Sequence, residues 1–136
     1  MRYRWAWLPA GAVAIWLLWM TLRPSSMVVS DLAPLIQSAV TSLVPVHVLV
    51  GLLGNIVVFV PLGAALVVAL GGRSTWERLL LAVVAGSALS LSIELLQMVV
   101  PSRVSAAGDW LLNTAGTAMG ALAGFCIQKT LWRKRA

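Results

Sequence analysis

With 136 residues the chain has room for one domain, and a composition of 60% hydrophobic and 10% charged residues excludes an ordinary water-soluble globule. The net charge of +6 suggests nucleic acid when taken alone, but the placement of the charges, described below, makes that reading unnecessary. The lone cysteine, Cys126, excludes an intrachain disulfide and a thiolate metal cluster, and reads as a small packing residue.

A hydrocarbon layer of about 30 Å takes roughly 20 apolar residues of helix at about 1.5 Å each. Four stretches meet that requirement, predicting spans over about 5–22, 47–70, 79–100 and 109–127 within a single domain, 1–136. The first follows Arg2 and Arg4 and resembles a signal peptide. No small-residue cleavage site follows it, however, and Trp16, Trp19 and Arg23 occupy that region, so it reads as an uncleaved anchor.

Residues 23–46 are too polar to cross, and Pro24, Pro34 and Pro45 interrupt them. Within that loop Leu32, Leu35, Ile36, Val40 and Leu43 recur at helical spacing after a cap at Ser30 or Asp31. A short helix over about 31–44, lying in the membrane interface, is expected.

On the second span Asn55, Phe59 and Gly63 share one face, and Pro61 removes a backbone hydrogen bond and is expected to kink the helix. His47, at the span boundary, reads as an interfacial residue. The loops at 71–78 and 101–108 are short, so spans two to four are sequential antiparallel neighbours.

On the third span Ser87, Ser90, Glu94 and Gln97 follow spacings of three, four and three, which puts them on one face. On the fourth, Asp109 is expected to cap the helix start, and Gly116, Gly120 and Gly124 form a small-residue stripe suited to close packing, inside the bundle or between two subunits of a homodimer.

With the N-terminus in the cytoplasm, Arg2, Arg4, Arg73, Arg78, Lys129, Arg133, Lys134 and Arg135 flank the spans on the inside, leaving Arg23 and Arg103 outside, as the positive-inside rule requires. Tyr3, Trp5, Trp7, Trp76 and Trp132 then fall at the inner interface, and Trp19 and Trp110 at the outer one. The expected fold is therefore an all-α integral membrane protein, a four-transmembrane-helix bundle with both termini cytoplasmic and an interfacial helix in its first outer loop. The expected location is the bacterial cytoplasmic membrane.

Counted down from the outer helix ends, Glu94 lies about 9 Å deep and Asn113 about 6 Å, with Gln97 shallower, Asn55 deeper, and Arg103 and Asp109 at the rim. A carboxylate at the bilayer centre costs roughly 2.5 to 3.5 kcal/mol on insertion scales. Glu94 must therefore be protonated, hydrated or paired, and Arg103 or Asn113 is the expected partner. The plainer reading is that Glu94 only fixes helix register through a buried hydrogen bond.

These residues fit together into a recognisable pattern: Asn55, Phe59, Pro61, Leu62 and Gly63, then Glu94 and Gln97, then Arg103, Asp109, Asn113, Gly116 and Gly120. Over roughly 55–120 the chain resembles the VanZ-like family, whose signature is similar to N-x-x-x-F-x-P-L-G, then E-x-x-Q, then R-x-x-x-x-x-D-x-x-x-N-x-x-G-x-x-x-G. Many relatives carry further acids between the arginine and the aspartate. Here Ala106 and Gly108 stand there, so no metal site and no cofactor is expected. The resemblance implies reduced susceptibility to teicoplanin-type glycopeptide antibiotics, or a role in cell-envelope lipid handling.

Three function classes follow. In the first, Asn55, Glu94, Gln97, Arg103, Asp109 and Asn113, supported by Phe59, Pro61 and Ser90, bind an amphiphile: a membrane lipid, an envelope lipid precursor or a lipoglycopeptide antibiotic. Gly63, Gly116, Gly120 and Gly124 serve helix packing. The second is an intramembrane enzyme using Glu94 and Asp109 as acid and base; only Ser90 and Ser105 stand nearby as nucleophiles, and no catalytic residue is assigned. The third is a small proton-coupled exporter, which resembles this chain in size but places its acid in the first span, where this chain has none.

Overall fold

The computed structural model describes residues 4–22, 46–99 and 107–133, and among them the chain forms helices and one short turn, with no strand. A single 3-10 turn, Arg4–Ala6, leads into α1 (Trp7–Leu22); then follow α2 (Val46–Ala69), α3 (Thr75–Gln97) and α4 (Ala107–Arg133). The expected interfacial helix over 31–44 lies outside the described residues, as does Arg103. Two helical stretches, Thr75–Gln97 and Gly108–Leu131, are long and apolar enough to cross a membrane, while Trp7–Thr21 and Leu53–Ala69 are shorter apolar stretches.

The helix bounds differ from the expected spans because hydropathy marks the hydrocarbon stretch, whereas capping sets the helix. Helix α3 starts at Thr75 because Ser74 and Glu77 form a capping box: the Glu77 amide donates to Ser74 Oγ at 3.3 Å, and the Ser74 amide donates to Glu77 Oε2 at 3.0 Å. Gly72, with φ of 91°, supplies the left-handed residue that reverses the chain just before it. Helix α4 runs on to Arg133, past the apolar run that ends at Ile127. Helix α2 continues through Pro61, whose ring is exposed on the same outer stripe as Leu53 and Val57.

The bundle is apolar outside and partly polar inside. Leu17, Phe59, Leu62, Val67 and Ile93 form the buried core, joined by buried Ser90, Glu94, Gln97, Asn113 and Thr117. The outer surface carries Ile15, Val57, Val84, Leu95, Leu111, Met119 and Ile127, all exposed. A soluble monomer rarely exposes apolar patches beyond a few hundred Å². This arrangement is that of a membrane protein, with lipid tails as its solvent.

The closest pair of helices is α2 and α4. A methyl group on Gly116 would lie 2.2 Å from the Ile56 carbonyl oxygen, one on Gly120 would lie 2.0 Å from that of Val60, and one on Gly124 would lie 2.9 Å from Ala64 Cα. Gly63 answers from α2, where a methyl would sit 2.0 Å from the Thr117 carbonyl oxygen. These pairings keep a constant register, so α2 and α4 run parallel with their backbones in contact, and the glycine stripe of α4 is filled from within the chain. A second copy of the chain would have to meet a different face.

At the end where α2 turns into α3, Arg78 ties three helices. Its Nε and Nη2 donate to the Val67 carbonyl at 3.0 and 2.6 Å, Nη2 also donates to Gln128 Oε1, and the guanidinium lies 5.6 Å from the centre of the Phe125 ring. An orphan carbonyl in the last turn of α2 is thereby satisfied.

A Cβ at Gly120 has nowhere to go, so Gly120→Ala is expected to destabilise the purified protein by about 1–3 kcal/mol, or to force α2 and α4 apart. Gly54→Ala, with nothing within 4 Å of the added methyl, is expected to be neutral. Thermal unfolding in detergent, followed by circular dichroism, compares the two.

Candidate functional site

One face of α3 carries Ala82, Gly86, Ser90, Ile93, Glu94 and Gln97, and all of them are buried. Gly86 lets α4 approach, since a methyl there would lie 2.4 Å from Thr117 Cγ2. One turn further along, Asn113 Nδ2 donates to Ser90 Oγ at 2.9 Å, a hydrogen bond sealed from both lipid and water, while Thr117 Oγ1 donates back to the Asn113 carbonyl at 3.0 Å. A second set of contacts flanks this bond. Trp110 Nε1 donates to Ser87 Oγ at 3.0 Å, and Thr114 Oγ1 bonds Ser87 Oγ at 3.2 Å and the Trp110 carbonyl at 2.8 Å. Together these groups make a polar seam along the line where α3 crosses α4.

The seam continues toward the end of the bundle where α3 finishes. Helices α3 and α4 run antiparallel with Gly86 opposite Thr117 and Ser90 opposite Asn113. One more turn of that register brings Glu94 level with Asp109. Glu94 is buried, Asp109 is half-buried in the first turn of α4, and both have interaction partners. Beyond Glu94, Gln97 Nε2 donates to the Thr21 carbonyl at 2.8 Å, in the last turn of α1, where helix carbonyls lack intrahelical partners. Thus α1 closes one side of the seam.

Several expectations change in detail. Asn113 pairs with Ser90 and not with Glu94, because the antiparallel register sets the amide one turn below the acid. Asp109 lies in the first turn of α4, which begins at Ala107, and its carboxylate meets the positive dipole end there as expected. Pro61 points to the outer surface and does not line the seam. Phe59 is fully buried in the core and Asn55 is half-buried, next to Ile56, whose carbonyl faces Gly116. Cys126 is exposed instead of packed inside. Arg103 and Ser105 lie outside the described residues.

Sequence reasoning missed Thr21, Thr114 and Thr117, and it took Trp110 for an interfacial ring only. Two of them left a signal: Thr117 lies four residues beyond Asn113, on its side of the helix, and Thr114 four beyond Trp110. Among the described residues no three His, Cys, Asp or Glu side chains gather as a metal-ligand set.

The seam is not fully satisfied internally. Asn113 Oδ1 is buried without a hydrogen-bond partner, a state that costs about 1–3 kcal/mol. Replacing Ser90 by Ala would leave the Asn113 amide with no partner at either end, so Ser90→Ala is expected to cost about 1–3 kcal/mol of stability. Ser92→Ala removes an exposed hydroxyl bonded only to Ala88 on its own helix, and is expected to cost under about 0.5 kcal/mol. Parallel thermal melts of the two variants check the difference.

Among known proteins, the family model described as VanZ/LLP1 matches residues 11–128, which takes in most of the chain and the whole seam. No curated protein and no solved structure matches.

Proposed function

This chain belongs to the VanZ/LLP1 family, and we propose that it lowers susceptibility to teicoplanin-type glycopeptides, or handles an envelope lipid, by holding an amphiphile at the polar seam of α3 and α4. The observation that carries this reading is the buried Ser90–Asn113 hydrogen bond with Glu94 and Gln97 along the same face, inside a bundle whose outer surface is apolar. Polar side chains are expensive inside a membrane and usually accompany a task.

In this proposal all four helices cross the bacterial cytoplasmic membrane with both termini in the cytoplasm, following the distribution of basic residues. The end of the bundle bearing Gln97 and Asp109 then faces outward. An amphiphile enters there with its tail between helices. Asn113 Oδ1 accepts a hydrogen bond from the head group, Glu94 exchanges a proton with it, and Arg103 offers a forked donor to a phosphate or carboxylate.

A second reading draws on the register that brings Glu94 level with Asp109: the two form an acid–base pair acting on an envelope lipid. The readings separate by stoichiometry, since an enzyme turns its lipid over and a binding site only holds it.

Expression in a susceptible strain is expected to raise the inhibitory concentration of teicoplanin several-fold. Glu94→Gln and Asn113→Leu are each expected to abolish that increase at unchanged membrane levels. In purified protein, Glu94→Gln and Asn113→Leu are each expected to weaken teicoplanin binding about tenfold, the equivalent of about 1.4 kcal/mol. Full resistance in both variants removes the seam from the function.

A further inference from the structure

At the opposite end of the bundle from the seam's mouth, α3 and α4 leave a groove of about 230 Å³ between them, and its exposed wall has no polar atoms. Trp76, Leu80 and Val83 line it from α3, and Ala118 and Leu122 from α4. It is open to the surroundings, with Trp76 74% and Leu122 54% exposed, so in a bilayer it is a channel for something the width of a hydrocarbon chain.

Two exposed cations stand at one end of this groove. Arg73 lies in the turn just ahead of the Ser74 cap, three residues before Trp76; Lys129 shares the stripe of Ala118, Leu122 and Phe125 on α4. Both lie toward the end of the bundle where α2 turns into α3, the end at which Arg78 reaches Gln128 and covers Phe125. The acid in this region is Glu77, whose Oε2 already accepts from the Ser74 amide at 3.0 Å and the Ser74 hydroxyl at 2.9 Å. Held below its usual range by the Ser74 hydroxyl and amide and further by Arg73, the Glu77 carboxyl stays charged; against it stand Arg73, Arg78 and Lys129, so among the described residues this end is net positive.

We propose that this groove binds an anionic phospholipid. One acyl chain lies along Leu80, Val83, Ala118 and Leu122, the phosphate sits between Arg73 and Lys129, and the Trp76 ring occupies the boundary between tail and head group. A zwitterionic lipid offers the same tail, but its ammonium group would be repelled by the two cations. The charge at the mouth selects the head group, and the groove supplies the tail contact. This site shares no residue with the polar seam and does not depend on which side of the membrane either end faces.

Native mass spectrometry of the purified full chain tests it, using equimolar phosphatidylglycerol and phosphatidylcholine with identical acyl chains. The native protein is expected to retain phosphatidylglycerol in excess. Arg73→Gln and Lys129→Gln are each expected to reduce that excess about fivefold, the equivalent of about 1 kcal/mol per cation at a membrane surface. Val83→Trp, which fills the groove, is expected to reduce retention of both lipids, and Arg4→Gln to change neither. Equal retention of the two lipids by the native protein, or an undiminished preference in the Arg73→Gln/Lys129→Gln double variant, overturns the proposal. The native comparison alone is decisive should a variant fail to fold.

Discussion

The structure depends on the contact between the carbonyl edge of α2 and the glycine stripe of α4. In lipid, helices gain little from hiding apolar surface from one another, so close van der Waals packing has to hold them together, and backbone contact is its closest form. Gly116 against Ile56 and Gly120 against Val60 lock the two helices parallel and in register, and Gly63 makes the reciprocal contact. Once α2 and α4 are fixed in this way, the short turn after Ala69 sends α3 back antiparallel. The small residue Gly86 lets it settle on α4 at a height where Ser90 meets Asn113.

The polar groups of the bundle then fall into two kinds. Arg78 and Gln97 serve helix ends: one satisfies the Val67 carbonyl of α2, the other the Thr21 carbonyl of α1. These contacts sit at the two ends of the bundle, and Gln97 makes its own while lying on the buried face that carries the seam. The seam between those ends is different, because its hydrogen bonds join side chains of α3 and α4 and leave Asn113 Oδ1 buried and unmatched. That orphan acceptor is the feature on which the proposed binding at the seam rests.

Much of this was legible in the sequence. Four apolar stretches correspond to four helices. The four-residue spacing of Gly116, Gly120 and Gly124 marked a packing stripe, and the spacing of Ser87, Ser90, Glu94 and Gln97 marked a single face, which is buried except at half-buried Ser87. Spacing along one helix identifies a face but not what lies opposite it, and for that reason the partners were less clear. Asn113 bonds Ser90 because of an interhelical register that no single helix encodes, and Gln97 reaches a carbonyl of α1 that sequence spacing does not bring near. Arg78 read only as one more inside charge, although its main contacts are with a backbone carbonyl and with Gln128 of α4. Pro61 had every mark of a site residue except the direction it faces, which only the packing of α2 determines.

The account rests on the seam opening to the outside while the α2–α3 turn faces the cytoplasm. Single cysteines at Gly108 and at Arg73, in a Cys126→Ser background, measure this directly with a membrane-impermeant thiol reagent applied to intact cells. The account predicts labelling of Gly108→Cys in intact cells, and of Arg73→Cys only after the membrane is opened. Labelling of Arg73→Cys from outside, with Gly108→Cys protected until lysis, would contradict it.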